Sequence, residues 1–459
     1  MSIIDNKTRF ENELSNLSDS NARKRLAMLF DNGTYTEIDR FLKSHDNECE
    51  VVAAFGEVNG MPVYAYAQSI DVNSGAMGKA QAAKITHVYE LATKTGAPVV
   101  AVFDSNGAYI SEGVEALEAY GSVIKAAGNI SGVVPQVSVV AGPCIGSAAV
   151  LASLSDLVIM TKDAEFYITA PSFADNKETT LGTAQLAAEN GTAALVVDTD
   201  KDAMEKAAEL LAYMPSNNLS EALMADFAPA TGVKGVDAVV DAESFFEISP
   251  EYGKCIKTGF ARIGGVSVGV VATDPAEKDG YFCACGARKA AKFIRLCDSF
   301  SIPVVTLVDS KGILAKEQCD LAGGVKSVSI LTSAYSEATT AKITVVCGNA
   351  FAGAYIAFVS SAASPDFVFA TSDAVIGALE PMTAVQMMYK ERLLAGEDRA
   401  ALEAEYISNE CSPFCAAAIG LVSDVVDASE LSYKLATALD TLASKRVTTL
   451  NKKHNNIPL

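Results

Sequence analysis

Two runs of small residues carry the chemistry that this sequence offers. They are Cys144–Ala149, which follows the apolar segment 137–141, and Ala350–Tyr355, which follows the apolar segment 343–347. Each run predicts a turn that opens a helix, and the first N–H groups of a helix have no acceptor inside it. Together with the helix dipole these N–H groups suit an anion, and small residues let an oxygen approach closely. The pattern favours an oxyanion hole, although close packing of a helix on a strand would need the same small residues.

Other catalytic apparatus is poorly represented in the sequence. The three histidines, His45, His87 and His454, lie outside any metal-ligand spacing, and His87 fits a structural place in a helix. The phosphate-binding motif G-x-x-x-x-G-K-[ST] is absent, as is G-x-G-x-x-G after a strand. The ten cysteines include one close pair, Cys283 and Cys285, which disfavours zinc. We therefore predict no metal site.

Composition excludes one class of partner and bears on location. The 459 residues include 36 basic and 56 acidic side chains, a net charge of −20 without a basic patch, which argues against nucleic-acid binding. The start, Met1–Glu13, is polar and lacks an apolar signal segment, so we expect a reducing cytoplasm. The uncharged stretches 126–155 and 343–365 contain glycine turns and favour buried α/β core over a membrane span.

Three segments of the first half recur in order in the second half. The first two pairs are offset by 205 residues and the third by 206, which indicates duplication of a domain of about 200 residues. We predict domains at 1–240 and 241–459, with a linker near 228–241 that contains Pro229 and two glycines. The matched segments are 60–67 with 265–272, 98–107 with 303–312, and 137–142 with 343–348.

Each half predicts strands that alternate with helices, the pattern of mostly parallel sheets in an α/β fold. In both halves one strand ends at Asp-Ser, and a later strand runs into the small-residue turn and a helix. Amphipathic helices are predicted at 21–31 and 430–445. The predicted strands are 60–68, 99–104, 136–141, 264–272, 303–309 and 342–347, and the other helices 79–95, 111–129, 144–153, 286–300, 323–337 and 350–361.

Motifs spread over residues 21–459 resemble one known family. The sequence is similar to the carboxyltransferase subunits of biotin-dependent propionyl-CoA and acetyl-CoA carboxylases and to the alpha subunit of methylmalonyl-CoA decarboxylase. The motifs are Arg23–Gly33, Leu91–Pro98, Gly132–Gln136, Gly142–Cys144, Pro215–Asn218, Ser244–Glu247, Gly259–Arg262, Lys289–Arg295 and Gly353–Tyr355.

The resemblance implies two tandem crotonase-like (ClpP/crotonase) domains and a homodimer or a trimer of dimers. It implies an active site between the N-terminal half of one subunit and the C-terminal half of its partner. A coenzyme A thioester would be the substrate. Biotin would arrive on a separate biotin carboxyl carrier protein, since this chain has no Met-Lys-Met attachment segment. Further partners would be a biotin carboxylase or a membrane decarboxylase subunit.

The resemblance also implies site residues. One oxyanion hole would use the N–H groups of Gly146 and Ser147, and the second those of Gly353 and Ala354. Biotin would act as the base once its carboxyl group leaves as CO₂, so that no histidine is needed. The residues expected to line the ligands are Asn106, Gly107, Ala108, Cys144, Ile145, Ala352, Tyr355 and Ile356.

Departures from the family pattern keep other hypotheses open. Tyr109 stands where the family has arginine, and Asn106 and Ser147 stand where it has glycine. A second hypothesis is therefore a catalytically impaired paralogue that scaffolds an active subunit. A third is a hydratase-type crotonase enzyme, for which Glu112 is a candidate carboxylate, although Glu112 also fits helix capping. The sequence leaves the acyl-CoA and the direction of transfer open.

Overall fold

The chain divides into two compact units, Met1–Glu221 (unit 1) and Ala222–Leu459 (unit 2), and each unit has its own large sheet. A computed structural model describes residues 3–45, 47–170, 180–222 and 224–457. The sequence predicts a domain boundary after residue 240, whereas the contacts divide the chain after Glu221. In the described part of the chain, every helix is too short or too polar to cross a bilayer.

Unit 1 alternates strands with helices as the sequence predicts. Its strands are β1 (Tyr35–Ile38), β2 (Lys43–Ser44), β3 (Asn47–Glu48), β4 (Val51–Val58), β5 (Met61–Gln68), β6 (Val99–Ser105), β7 (Gln136–Ile145), β8 (Leu157–Thr161), β9 (Glu165–Tyr167) and β10 (Leu195–Val197). Its helices are α1 (Ile3–Ser15), α2 (Asn21–Leu29), α3 (Lys79–Thr95), α4 (Val114–Asn129), α5 (Ser147–Ser153), α6 (Ala184–Glu189) and α7 (Asp200–Leu211).

Unit 2 repeats this order and ends in additional helices. Its strands are β11 (Phe246–Ile248), β12 (Ile256–Ile263), β13 (Val266–Thr273), β14 (Tyr281–Phe282), β15 (Val304–Ser310), β16 (Gly312–Ile313), β17 (Lys342–Phe351), β18 (Phe367–Thr371), β19 (Val375–Gly377) and β20 (Asp424–Val426). Its helices are α8 (Ala284–Ser299), α9 (Glu317–Leu321), α10 (Gly324–Glu337), α11 (Ala352–Ala354), α12 (Pro381–Met388), α13 (Lys390–Leu394), α14 (Arg399–Tyr406), α15 (Pro413–Ala418) and α16 (Leu431–Leu442).

The two large sheets have the same topology. The strand order is β1-β4-β5-β6-β7-β8-β10 in unit 1 and β11-β12-β13-β15-β17-β18-β20 in unit 2. The first three strands of each sheet pair antiparallel and the rest pair parallel. All seven residues of β6 are buried, as expected for a parallel strand covered on both faces. The predicted α/β class and the duplication are confirmed.

Two features of the sheets differ from the prediction. The sequence pattern does not predict the hairpin partners β4 and β12, because Val51–Val58 and Ile256–Ile263 contain Gly, Glu, Lys or Arg among their apolar residues. The helices predicted to begin at residues 144 and 350 begin later, since β7 runs to Ile145 and β17 to Phe351. The register of each strand shifts near its end, and the last three residues then pair with the short strands β9 and β19.

Helix α8 of unit 2 buries a lysine whose replacement should stabilise the fold. Lys289 is 6% exposed, and its ammonium nitrogen has no hydrogen-bond partner among the described residues. Burial lowers the pKa of Lys289 to about 8. The unfolded chain keeps its proton up to about pH 10.4, so the stability of the native protein should rise between about pH 8 and pH 10.4.

We expect Lys289→Met to raise the free energy of unfolding by about 3 kcal/mol at pH 7, because the buried charge is removed and its volume is kept. The variant should also lose the rise in stability above pH 8. Urea unfolding at pH 7 and pH 10 measures both effects, and Lys292→Met, at an exposed position of the same helix, is the control. Equal stability of the Lys289 variant and the native protein at pH 7 would contradict the expectation.

Candidate active site

Strands β6 and β15 end in the same Asp-Ser-x-Gly turn. In unit 1 the Ser105 hydroxyl oxygen accepts a hydrogen bond from the Gly107 N–H at 3.1 Å. In unit 2 the Ser310 hydroxyl oxygen accepts one from the Gly312 N–H at 3.3 Å. Gly107 and Gly312 have φ values of 100° and 134°, where a side chain would be strained. The turn is thus built twice in the chain, and glycine completes it in both places.

Ala108, the residue after Gly107, directs its N–H away from the segment of the chain with which it pairs. The Met77 N–H donates to the Gly107 carbonyl at 2.8 Å, and the Tyr109 N–H donates to the Met77 carbonyl at 2.7 Å. Ala108 lies between these two bonds and pairs with Met77. None of the described residues accepts a hydrogen bond from the Ala108 N–H. Ala108 therefore offers a free main-chain donor beside the turn.

Unit 2 repeats this arrangement 205 residues later. Phe282 pairs with Ile313 in the short parallel ladder of β14 and β16. The Leu314 N–H donates to the Phe282 carbonyl at 2.8 Å, as Tyr109 does to Met77. Because successive N–H groups of a strand point to opposite sides, the Ile313 N–H points away from Phe282. Ile313 therefore matches Ala108 in position and in the direction of its N–H.

The small-residue turn after β7 supplies a second donor in unit 1. Gly146 has φ 64° and ψ −126°, and helix α5 begins at Ser147. The Gly146 N–H donates to the Tyr167 carbonyl at 2.9 Å and is therefore engaged within the chain. The N–H groups of Ser147 and Ala148 open the helix and have no acceptor among the described residues. Of the expected pair Gly146 and Ser147, only Ser147 keeps a free N–H.

The strand pairings show which residues of the two small-residue turns correspond. Gly146, with φ 64°, corresponds to Ala352, which has φ 45° although it is not glycine. Ser147 therefore corresponds to Gly353, and Ala148 to Ala354. The two expected pairs, Gly146 with Ser147 and Gly353 with Ala354, are offset from each other by one residue. The equivalent pairings are Ser105↔Cys144 with Ser310↔Ala350, and Ile145↔Tyr167 with Phe351↔Gly377.

In each unit the Asp-Ser-x-Gly turn packs against the small-residue turn. A Cβ atom placed on Gly107 would lie 3.5 Å from the Ile145 carbonyl oxygen, and one on Gly312 would lie 3.8 Å from the Phe351 carbonyl oxygen. We call the loop 106–108 with Gly146–Ser147 the first corner, and the loop 311–313 with Ala352–Gly353 the second corner. Each corner brings two main-chain donors to one edge of a sheet, at the carboxyl ends of its parallel strands.

A buried ion pair fixes the first corner. The guanidinium of Arg25 donates to the carboxylate of Asp104 at 2.6 Å, to Asp200 at 2.7 Å and to the Ala141 carbonyl at 3.2 Å. The side chains of Arg25 and Asp104 are 7% and 3% exposed. The two carboxylates keep the pKa of Arg25 above its ordinary value although burial opposes them. Helix α2 thus holds the end of β6, where the turn begins.

The side-chain amide of Asn349 holds the second corner in place, whereas a buried ion pair holds the first corner. The Asp309 carboxylate accepts the Asn349 main-chain N–H at 2.8 Å and its side-chain amide at 3.0 Å. Gly348 leaves room for this carboxylate, since a Cβ there would overlap it. Gly142 does the same for Asp104. Asp309 therefore ties the end of β15 to the bend of β17 directly, whereas Asp104 packs against the bend of β7 and is joined to it through Arg25.

The other expected ligand-lining residues differ in exposure. Asn106 is exposed, Ile145 and Tyr355 are half-buried, and Ile356 is 56% exposed. Cys144 is fully buried, and burial raises the pKa of its thiol well above the ordinary value, which excludes a thiolate nucleophile at neutral pH. The expected groups that can meet a ligand are therefore main-chain groups, the Asn106 amide, and aliphatic or aromatic side chains.

The Glu112 carboxylate forms hydrogen bonds at the start of helix α3. Its carboxylate accepts the Lys79 N–H at 2.8 Å and lies 2.9 Å from Nε2 of His45. The His45 ring stacks on Tyr109 with 4.8 Å between ring centroids. This arrangement matches the capping role considered for Glu112. In the described part of the chain, no group of three His, Cys, Asp or Glu side chains could hold a metal ion.

Comparisons with known proteins identify the family. Residues 19–457 match the family described as "Carboxyl transferase domain". The methylmalonyl-CoA decarboxylase subunit alpha of Veillonella parvula is 35% identical over 476 residues, covering 95% of this chain and 93% of the relative. The methylmalonyl-CoA carboxyltransferase 12S subunit of Propionibacterium freudenreichii subsp. shermanii is 35% identical over 477 residues, covering 95% and 91%.

A solved structure agrees with these relatives. The structure of transcarboxylase 12S, described as a hexamer assembly with methylmalonyl-coenzyme A and methylmalonic acid bound, has a TM-score of 0.89 to this chain. It is 34% identical and covers 98% of this chain and 95% of its own. The expected crotonase-like fold is thereby confirmed. The chain belongs to the carboxyl transferase domain family, which confirms the sequence-based prediction of a biotin-dependent acyl-CoA carboxyltransferase.

Proposed function

We propose that this chain is the carboxyltransferase subunit that moves a carboxyl group between carboxybiotin on a carrier protein and a short-chain acyl-CoA. Acetyl-, propionyl- and methylmalonyl-CoA are the candidate substrates. The observation that carries the proposal is the pair of corners, each with two main-chain donors at equivalent positions of a duplicated fold. Relatives named for methylmalonyl-CoA chemistry support the choice of a short-chain acyl group.

The first corner is proposed to hold the thioester carbonyl oxygen. Its donors are the N–H groups of Ala108 and Ser147, which replaces the earlier expectation of Gly146 because the Gly146 N–H is bonded to Tyr167. As the α-carbon loses its carboxyl group or proton, negative charge develops on the thioester oxygen. Fixed amide donors stabilise that enolate more than the neutral thioester, which lowers the barrier. Each donor contributes about 3–4 kcal/mol in comparable oxyanion holes.

The second corner is proposed to hold the ureido carbonyl oxygen of biotin. Its donors are the N–H groups of Ile313 and Gly353, and Gly353 leaves space beside the Ile313 side chain. Neutral amide donors fit a neutral ureido oxygen. When bound, biotin supplies the carboxyl group and the basic nitrogen. The chain itself orients the ring and polarises its carbonyl.

We propose that the active enzyme is a homodimer or a trimer of dimers, in which the first corner of one subunit faces the second corner of its partner. The proposed further partners are a biotin carboxyl carrier protein and either a biotin carboxylase or a membrane decarboxylase subunit. Relatives named as subunits of decarboxylase and carboxyltransferase complexes support this. The hexamer described for transcarboxylase 12S supports the larger assembly.

One contact favours the second candidate function, a catalytically impaired scaffold. A Cβ atom on Gly353 would lie 2.7 Å from Cδ1 of Ile313, so the aliphatic side chain lies directly against the proposed biotin donor. A ligand oxygen would have to enter beside this side chain. A scaffold paralogue would bind its partner subunits but neither acyl-CoA nor biotin.

The test is a decarboxylation assay with purified full-length protein. Methylmalonyl-CoA or malonyl-CoA is incubated with free biotin or a biotinylated carrier protein, and loss of the dicarboxylic thioester is followed by chromatography. We expect biotin-dependent consumption of one of these thioesters. No consumption with either biotin source, together with no acyl-CoA binding by calorimetry, would favour the scaffold.

A further inference from the structure

Two free thiols of unit 2 lie in contact at the start of helix α8. Cys255 precedes strand β12, and Cys283 is the residue before the helix. Their Sγ atoms are 3.3 Å apart, and the Cys283 N–H also donates to the Cys255 sulfur at 3.3 Å. Neither cysteine forms a disulfide bond. We call Cys255 and Cys283 the thiol pair.

Close packing of main-chain atoms holds the thiol pair together. A Cβ atom on Gly286 would lie 2.6 Å from the Cys255 sulfur, so glycine leaves the space that the thiol fills. Gly253, with φ 55°, is packed just as closely, since a Cβ there would lie 2.8 Å from the Gly286 N atom. The loop before β12 is therefore pressed onto the first turn of α8, and the sulfurs cannot drift apart without moving it.

The two thiols of the pair differ in acidity. The pKa of Cys283 lies well below its ordinary value, because the Cys255 thiol donates a hydrogen bond to it and the N–H groups of Gly286 and Cys285 face it, although burial opposes the shift. The pKa of Cys255 is raised by the Cys283 thiolate and by burial. The Lys289 ammonium opposes this rise in the pKa of Cys255, whereas the Lys278 ammonium helps to lower the pKa of Cys283. Cys283 is thus the thiolate and Cys255 the protonated partner.

Metal binding does not account for the thiol pair. Zinc needs about four ligands, and in the described part of the chain no three His, Cys, Asp or Glu side chains converge at this place. The proposed oxyanion chemistry does not use either thiol. A thiolate next to a second thiol, with only part of its surface covered, fits oxidation.

We infer that the thiol pair is a peroxide-sensitive modification site that closes to a reversible disulfide. The Cys283 thiolate attacks one oxygen of hydrogen peroxide, the O–O bond breaks, and hydroxide leaves to become water. The sulfenic acid on Cys283 then reacts with the Cys255 thiol, which forms the S–S bond and releases a second water. Two thiols lose two electrons and two protons in total, and peroxide is reduced to two water molecules.

Closure of the disulfide should reach the second corner. A disulfide has an S–S length of about 2.05 Å, so the two sulfurs must approach by about 1.3 Å from their present 3.3 Å. Cys283 directly follows Phe282, which holds the Ile313 strand in place. Oxidation is therefore expected to lower carboxyltransferase activity reversibly. This consequence rests on the proposed function, whereas the disulfide itself does not.

The test treats full-length protein with hydrogen peroxide, blocks the remaining thiols with an alkylating agent and analyses tryptic peptides by mass spectrometry. The expected product links peptide 255–257 to peptide 279–288 and disappears on reduction with dithiothreitol. Because peptide 279–288 contains both Cys283 and Cys285, the experiment is repeated with Cys285→Ser, which should still form the link. Cys283→Ser and Cys255→Ser should not form it.

A second variant tests the geometry. Gly286→Ala should displace the Cys255 sulfur and slow formation of the link at least tenfold, with Cys283 ending as sulfinic acid. The inference is overturned if peroxide leaves the native thiols unlinked, or if Cys285→Ser abolishes the link as fully as Cys283→Ser does. If untreated protein has no decarboxylase activity, that result counts against the proposed function alone, because the linked peptide is measured without any substrate.

Discussion

A Ser147→Pro variant is expected to lose about 100- to 1,000-fold in kcat while it remains folded. Proline has no N–H, and Ser147 is the first residue of helix α5, the position where proline is best tolerated. The substitution therefore removes one proposed donor of the first corner and leaves the helix intact. The measurement is kcat for biotin-dependent decarboxylation of the thioester, with circular dichroism to confirm folding.

The matched control for this variant is Ser147→Ala. Alanine removes the hydroxyl but keeps the main-chain N–H, so kcat should stay within a few-fold of the native value. Equal losses in the proline and alanine variants would mean that the hydroxyl acts. Near-native kcat in the proline variant would remove Ser147 N–H from the mechanism and leave Ala108 without its proposed partner.

The second large effect concerns stability. We expect Arg25→Met to lower the free energy of unfolding by about 3–5 kcal/mol, because it leaves the Asp104 carboxylate buried without its counter-ion. Lys24→Met changes an exposed lysine of the same helix, whose ion pair with Asp19 is open to solvent, and should cost less than about 1 kcal/mol. Urea denaturation followed by circular dichroism measures both variants.

A further substitution tests whether the buried charge is the cause. Adding Asp104→Asn to Arg25→Met removes the uncompensated carboxylate, so the double variant should recover part of the lost stability. A loss of under 1 kcal/mol in the Arg25 variant would contradict the expectation. A double variant less stable than Arg25→Met would show that lost packing, and not the unpaired carboxylate, dominates.

The sequence predicted the fold well because the duplication leaves a strong signal. The apolar runs that form β6 and β15 are buried on both faces and therefore stay almost purely apolar, so they match at a constant offset. Helix 79–95 was predicted with the bounds it has in the structure. The sequence does not predict strands β4 and β12, because each has residues that are not fully buried and carries charged side chains, which weakens the apolar pattern.

The candidate site was predicted only in outline, for a physical reason. The family resemblance implies the pairs Gly146 with Ser147 and Gly353 with Ala354, whereas the strand register matches Gly146 with Ala352, which takes a positive φ despite its Cβ. The bond from the Gly146 N–H to the Tyr167 carbonyl also has no sequence signal, since any residue at 167 has a carbonyl. The repeated Asp-Ser-x-Gly turn did mark the place where the free donors occur.

The free N–H groups of Ala108 and Ser147 determine which kinds of substitution can reveal the active site of this protein. The proposed donors are main-chain N–H groups, which every residue except proline has. A systematic replacement of side chains by alanine would therefore pass over both corners and report a protein without catalytic residues. Substitutions to proline, or replacement of an amide by an ester, are the changes that can make such a site visible.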